Sequence, residues 1–281
     1  MTIRMDLSVT TRKCISHTDC CSHGVAPRPV YNGRYNLRKY FRQGTTSSEP
    51  VSIAQMFDKI AWRYDFLNHF FSLHIDKIWR IKAVNELRGH TLSEVLDVAT
   101  GTADLALTIQ KRLHPGHITG IDISEGMLAI GRQKIEKKGL EQQVSLQHGD
   151  SEAIPFSDHT FDAVTVAFGV RNFEHLEKGL CEMFRVLKPG GKAVILEFSI
   201  PKNRMFRTVF HFYFFRILPF VGRMVSKDAH AYNYLPDSVQ SFPHGAEFRK
   251  KMENCGFSEV KVKALTMGIA SIYTGSRQDA P

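Results

Sequence analysis

The sequence predicts an α/β fold, a Rossmann-like, doubly wound and mostly parallel sheet, and three observations carry that expectation. The string LDVATGTADLA at 96–106 reads as a strand, a turn of small residues and the start of a helix. GIDIS at 120–124 then reads as a second strand running into an acid, Asp122. Downstream, apolar strand-like runs keep alternating with helical patterns, as expected of βα units whose parallel strands are covered on both faces. With 281 residues, 43% of them hydrophobic, the chain can bury one substantial α/β core and still carry appended elements.

Taken in order, residues 51–90 place Met56, Ile60, Tyr64, Leu67 and Phe71 at helical spacings and are expected to form helices that cap the ligand end of the sheet. Val95, Leu96 and Val98 suit a first buried strand. SEGMLAIGRQKIEKKG (124–139) predicts a helix with Ser124 as its N-cap and Gly139 as its stop. VSLQHGD (144–150) is expected to be the third strand and FDAVTVAFGVRN (161–172) the fourth. HLEKGLCEMFRVLKPGG reads as a helix stopped by Pro189, Gly190 and Gly191, followed by a fifth strand, KAVILEFS (192–199). The tail SEVKVKALTMGIASIYTGSR offers two more short strands, able to form a hairpin at the sheet edge.

Open α/β sheets bind ligands beyond the carboxyl ends of their strands, and Asp97, Asp122, Asp150 and Arg171 all fall at such ends. Asp122 lies 21 residues beyond Gly101, near the spacing at which these folds offer a carboxylate to ribose hydroxyls. The loop reads Ala99-Thr100-Gly101-Thr102-Ala103-Asp104. A pyrophosphate needs several glycines and a helix start open to anions. Here Gly101 stands alone, and Asp104 would repel phosphate. A cofactor with ribose hydroxyls and an amine but no phosphate fits, and S-adenosylmethionine is such a molecule. Asp97 is placed to order the loop or to meet a cationic group.

The net charge of +9 is uneven, because residues 1–50 hold eight Lys and Arg against three acids. This stretch is expected to be a disordered basic extension; its Arg-rich, acid-poor composition also resembles a transit peptide, but Gly24, Pro27, Pro29 and Gly33 interrupt any amphipathic helix. Outside residues 202–228 the folded part shows no basic stripe with interleaved aromatics, so nucleic acid is not expected as a substrate. The five cysteines are too few and too scattered for a disulfide framework, which makes a reducing compartment the default. Adjacent Cys20 and Cys21 do not match metal-ligand spacing, and no metal is expected.

No apolar run is long enough to span a bilayer. Residues 202–228 combine six Phe and a Tyr with Arg207, Arg216, Arg223 and Lys227, and Pro219 interrupts them. Amphipathic helices of this kind either cover the active site as a lid or lie on a membrane surface. A cytoplasmic location, peripheral to the inner face of a membrane, is expected, and a homodimer is compatible with the chain.

Several strings taken together resemble the ubiquinone/menaquinone biosynthesis C-methyltransferase family: FDKIAWRYDFLN (57–68), LDVATGTADLA, GDSEAIPFSDHTFDAVTVAFGVRNFEH (149–175), RVLKPGGKAVILEFSIP (185–201) and AYNYLPDSVQSFP (231–243). The resemblance runs from about Val51 to Arg277. It implies a class I S-adenosylmethionine-dependent methyltransferase with a seven-stranded sheet and a helical cap, over a single domain at 51–281. The implied reaction methylates a ring carbon of a polyprenylated quinol, with demethylmenaquinol preferred and a benzoquinol as the other candidate. It is also compatible with a methyltransferase for another lipid or small aromatic acceptor, or with a non-catalytic cofactor-binding subunit.

The resemblance places cofactor contacts on Thr102, Asp122, Asp150 and Ser151, to which the loop reading adds Asp97 and Gly101. Asp122 would accept from ribose hydroxyls and Asp150 from the adenine amine. Arg171 and Asn172 are the first candidates for stabilising a developing phenolate, since Arg is not a free base. Asp65 is the candidate general base, with Tyr64 and Tyr232 on the substrate side. The family usually has glycine where Ala103 stands, a change that fits if φ there is negative, and often serine where Ala167 stands.

Overall fold

The computed structural model describes residues 54–58, 61, 72, 74–213, 216 and 229–278, all within the unit Tyr35–Pro281. The elements in chain order are α1 (Ile75–Asn85), β1 (Glu94–Val98), α2 (Asp104–Leu113), β2 (His117–Asp122), α3 (Glu125–Glu136), β3 (Val144–His148), β4 (Phe161–Ala167), α4 (Leu176–Val186), β5 (Leu187–Phe198), α5 (Arg204–Phe212), α6 (Ala229–Ser241), α7 (Ala246–Asn254), β6 (Ser258–Leu265) and β7 (Ala270–Ser276). Residues 54–58 are also helical. The seven strands form one sheet in the order β3-β2-β1-β4-β5-β7-β6. Strands β1 to β5 pair in parallel, while β7 runs antiparallel between β5 and β6, so the expected hairpin closes one edge.

Successive strand residues point to opposite faces, and the two cores follow that period. Leu96, Val98, Val164, Val166, Ile195 and Tyr273 pack on one face with Leu180 and Met183 of α4 and Phe248 and Met252 of α7. Val95, Ile118, Ala163, Val194, Leu196 and Ile272 pack on the other with Trp79 and Val84 of α1, Ile109 of α2 and Ile135 of α3. Burial on both faces explains why these strands read as continuous apolar runs. In α3, Ser124 accepts from the Met127 amide as N-cap at 3.2 Å, and Gly139 takes a left-handed φ of 64° just past the helix, as expected.

Three expectations need correction. The fourth strand stops at Ala167, because Phe168 turns left-handed (φ 59°) and Val170–Asn172 form a 3-10 turn. The helix expected to run up to Pro189 ends at Val186. Leu187 is already extended and pairs with Phe161, so Lys188 to Gly191 open the strand instead of closing the helix. The cysteines are not all scattered in space, since Cys181 of α4 and Cys255 at the end of α7 form a disulfide with Cα atoms 4.8 Å apart across 74 residues.

Candidate active site

The loop between β1 and α2 has positive φ at Ala99 (49°), Gly101 (56°) and Ala103 (65°), whereas φ at Thr100 and Thr102 is not positive. Such alternation turns successive amides toward one side, a concavity that takes anions. The anion here belongs to the protein. Asp122, the last residue of β2, accepts from the Gly101 amide at 2.8 Å through one carboxylate oxygen and from the Ser124 amide at 2.9 Å through the other. Burial pushes its pKa up, opposed by those amides. Each oxygen retains a lone pair, so Asp122 can still accept from a pair of ribose hydroxyls. Because the concavity is already filled by a carboxylate, the loop suits a phosphate-free cofactor.

The negative φ anticipated for Ala103 is not what the structure has. At +65° this residue occupies the region where glycine is at home, with its methyl fully buried. Its carbonyl accepts from Leu107 and its amide donates to the Thr100 carbonyl at 3.0 Å, which locks the start of α2. Asp104 carries its charge at that helix start and is met by Lys134 of α3, whose Nζ donates to Asp104 at 2.7 Å and to the Thr102 hydroxyl at 2.9 Å. Arg80 of α1 approaches Asp104 at 3.8 Å and pairs with Asp76. Thr102 is thus tied through its hydroxyl into a charged network with Lys134 and Asp104.

Asp97 faces inward. Its two oxygens accept from the hydroxyls of Thr100 and Thr165, both at 2.7 Å, which fastens the loop to β1 and β4. Of its two expected roles, ordering the loop is the one observed. Burial raises its pKa to about 6, against the lowering by those hydroxyls and by the charge of Arg80.

Beyond β3, Asp150 is exposed; one of its oxygens accepts from the Glu152 amide at 2.8 Å in a tight turn that also holds Ser151. Glu152 is buried and accepts from the backbone amide and Nδ1 of His175, at 2.7 and 2.8 Å. The turn that would face an adenine amine is therefore pinned to the start of α4. A further carboxylate, Asp58, accepts from the Ser124 hydroxyl at 2.6 Å and the Gly126 amide at 2.9 Å. The 54–58 helix can lie this close to α3 because Gly126 has no Cβ, which would sit 3.0 Å from Asp58 Oδ1. Part of the expected N-terminal cap thus reaches the Asp122 end of the site.

At the end of β4, Gly169 presses against the cofactor loop, where an added Cβ would come within 2.6 Å of the Ala99 Cβ. Arg171 follows. Its Nη1 donates to Glu197 of β5 at 2.9 Å and to the Phe168 carbonyl, and its amide donates to Glu197 at 3.2 Å. Glu197 also accepts from the Phe198 amide at 2.8 Å. The pair is enclosed, with side-chain exposure of 6% for Arg171 and 0% for Glu197. The Arg171 guanidinium lies 5.4 Å from the Phe198 ring centroid, and that of Arg80 lies 5.6 Å from the Phe168 ring. Between them the Phe168 and Phe198 rings meet at 4.7 Å, tilted by 37°, beside Trp79.

The structure thus gathers Asp97, Gly101, Thr102, Asp122, Asp150, Ser151, Arg171 and Asn172 at the carboxyl ends of adjacent strands. Tyr64 and Asp65 lie outside the described residues. Tyr232 is on α6, with its backbone alone described. Sequence reasoning passed over Asp58, Lys134 and Glu197. For Glu197 there was a signal, a carboxylate inside the apolar run of KAVILEFS, where burial demands a partner. Asp58 and Lys134 carry no such mark, being ordinary polar positions on helices.

Among solved structures, the cyclase SpnF is similar over 81% of this chain and 96% of its own, with a TM-score of 0.59 and 15% identity. A methyltransferase of Haloferax volcanii, solved with its activator, is similar over 79% and 98%, with a TM-score of 0.58 and 17% identity. At such identities the likeness is one of fold. Sequence relatives lie much nearer. The demethylmenaquinone methyltransferase of Bacteroides fragilis is 44% identical over 86% of this chain and 97% of its own. The ubiquinone/menaquinone biosynthesis C-methyltransferase of Geobacter sulfurreducens is 49% identical over 80% and 88%. The demethylmenaquinone methyltransferase of Thermus thermophilus is 46% identical over 79% and 100%. With the family model matching residues 45–277, on top of a sheet and loop suited to a phosphate-free nucleoside cofactor, the chain belongs to the ubiE/COQ5 methyltransferase family.

Proposed function

We propose that this enzyme transfers a methyl group from S-adenosylmethionine to a ring carbon of a polyprenylated quinol, with demethylmenaquinol as the preferred acceptor. The observation that carries the reading is the Arg171–Glu197 clamp, which fixes the Val170–Asn172 turn against the cofactor loop at the ends of β4 and β5. The names of the relatives supply the acceptor class.

S-adenosylmethionine supplies an electrophilic methyl on a sulfonium. Asp122 accepts from the ribose, and Asp150 with Ser151 reads the adenine edge, while the Gly101 loop lets backbone amides approach. Asp97 holds that loop from below. On the acceptor, loss of the hydroxyl proton makes a phenolate that pushes charge onto the ortho carbon. That carbon forms the new bond as the sulfonium–methyl bond breaks, and the ring proton then leaves to restore aromaticity. Arg171 and Asn172 orient and stabilise the phenolate oxygen, acting by positioning and electrostatics. Asp65 is assigned as the base, with Tyr64 and Tyr232 lining the acceptor side.

We read 51–281 as one methyltransferase domain with residues 1–50 as an appended extension, and 202–228 as its contact with the inner face of the membrane that carries the acceptor. No helix among the described residues is long and apolar enough to cross a bilayer. Incubating the protein with S-adenosylmethionine and demethylmenaquinol should yield a product one methyl heavier. Cofactor binding without that product, with benzoquinol acceptors equally inert, would overturn the assignment.

A further inference from the structure

Among the described residues, the three most exposed large apolar side chains are Met205 (66%), Met267 (66%) and Phe212 (61%). They belong to two separate elements that meet beyond the carboxyl end of β5. Met205 and Phe212 lie on α5, seven residues apart and so on one stripe of the helix. The opposite side of α5 is the packed one, with Phe210 buried against Val239 and beside Phe198 and Ile269. Met267 sits at the tip of the turn joining β6 to β7.

That turn is built to hold its methionine out. Thr266, Met267 and Gly268 take consecutive left-handed φ values of 46°, 57° and 93°, a region that L side chains rarely adopt. Three hydrogen bonds fasten the turn and the residue after it. Trp79 Nε1 donates to the Thr266 hydroxyl at 2.7 Å, the Ser199 hydroxyl to the Gly268 carbonyl at 2.7 Å, and the Ser199 amide to the Ile269 carbonyl at 2.9 Å. Gly268 lies against Pro201, which leads into α5, where an added Cβ would stand 3.4 Å from the Pro201 Cα. A strained, well-fastened turn whose apical side chain is a bare methionine gains nothing from the fold, and is expected where an external apolar phase receives that side chain.

The charge around it indicates which phase. Lys202, Arg204, Arg207 and Arg216 are all exposed, and no acid occurs between Glu197 and Asp228. Cations beside isolated apolar side chains suit an anionic bilayer surface, with the methionines and phenylalanine entering the acyl boundary and the cations at the headgroups. We propose that the Thr266–Gly268 turn is a second membrane contact, acting with the outer stripe of α5 to dock the protein on an anionic phospholipid bilayer. This rests on the reading that the acceptor is a membrane-borne quinol. Through Trp79, which shares the Phe168–Phe198 cluster, the docked turn is joined to the site.

The test is co-sedimentation of the full chain with vesicles of phosphatidylcholine, with and without phosphatidylglycerol. Met267→Asn is the informative variant because asparagine tolerates left-handed φ, leaving the turn intact. It should lower the partition onto phosphatidylglycerol vesicles by roughly tenfold, as expected for withdrawing one buried apolar side chain, and Met267→Leu should not. Turnover with a water-soluble, chain-free quinol should be unchanged in Met267→Asn. Unaltered partition in that variant overturns the proposal for the turn. If Met205→Ser/Phe212→Ser releases the protein while Met267→Asn does not, contact through 202–228 survives and the turn alone fails. Equal binding to vesicles lacking phosphatidylglycerol overturns the anionic assignment. Loss of methylation of the soluble quinol by the unsubstituted chain would instead count against the proposed reaction.

Discussion

Asp97 and Glu197 are both enclosed carboxylates near strand ends, and what compensates each one decides how it behaves. Two neutral hydroxyls face Asp97, so burial wins and its pKa rises to about 6. A group with a raised carboxyl pKa holds its proton longer in the folded protein than in the unfolded chain. Its ionisation therefore costs stability as pH climbs from about 4 to 6, and that cost is absent below. A cationic cofactor favours the ionised form, so affinity for S-adenosylmethionine should rise with pH up to about 6 and then level off. Titration calorimetry at pH 5, 6 and 7 should show this rise, and Asp97→Asn should flatten it.

Glu197, by contrast, is met by a guanidinium. Arg171→Ala would leave that carboxylate buried and unpaired, at a cost of about 3–5 kcal/mol, and would confound loss of stability with loss of turnover. The double variant Arg171→Met/Glu197→Gln removes both charges together. It should keep its melting temperature within a few degrees, bind S-adenosylmethionine as before and lose about 100-fold or more in kcat. A folded double variant that turns over at the normal rate would show that Arg171 does not touch the reaction.

The expected elements were largely present, and the misplaced boundaries share a cause. FDAVTVAFGVRN looks like one strand because nothing in a phenylalanine announces a left-handed φ. Phe168 is held there by contacts remote in sequence, its amide donating to the Leu196 carbonyl at 2.8 Å and its carbonyl accepting from Arg171. The Ala103 conformation was hidden in the same way, since alanine there must be forced by the loop. The cysteine pair was illegible for another reason. Its closure depends on α4 and α7 packing through Leu180, Met183, Phe248 and Met252, which spacing along the chain does not disclose. A covalent link closing a loop of 74 residues restricts the unfolded chain substantially, by about 4 kcal/mol in the chain-entropy estimate. Reduction, or Cys255→Ser, should lower the thermal midpoint by several degrees and leave the cofactor affinity unchanged.

At the scale of the molecule, the site candidates were legible because alternating strands and helices imply a parallel sheet, and the final residues of parallel strands lie at one edge whatever the side chains do. What stays hidden from pattern reading is which of those residues face the ligand and which, like Asp97 with both oxygens taken by Thr100 and Thr165, face into the protein. The overall charge is a property of the same scale, and it separates two substrate forms. The net charge of +9 includes six Lys and Arg with no acid between Glu197 and Asp228. For an acceptor dissolved in water this field matters little, because a quinol is neutral. An acceptor carried in an anionic bilayer is different, because encounter depends on the attraction between that segment and the surface. The attraction reaches about 30 Å at 0.01 M salt and about 8 Å at 0.15 M. Raising the salt across that range should therefore lower kcat/KM for a vesicle-borne quinol several-fold while leaving the value for a short-chain soluble quinol within a factor of about two. Assayed side by side with the same enzyme stock, equal salt sensitivity of the two acceptors would mean that charge plays no part in reaching the membrane-borne one.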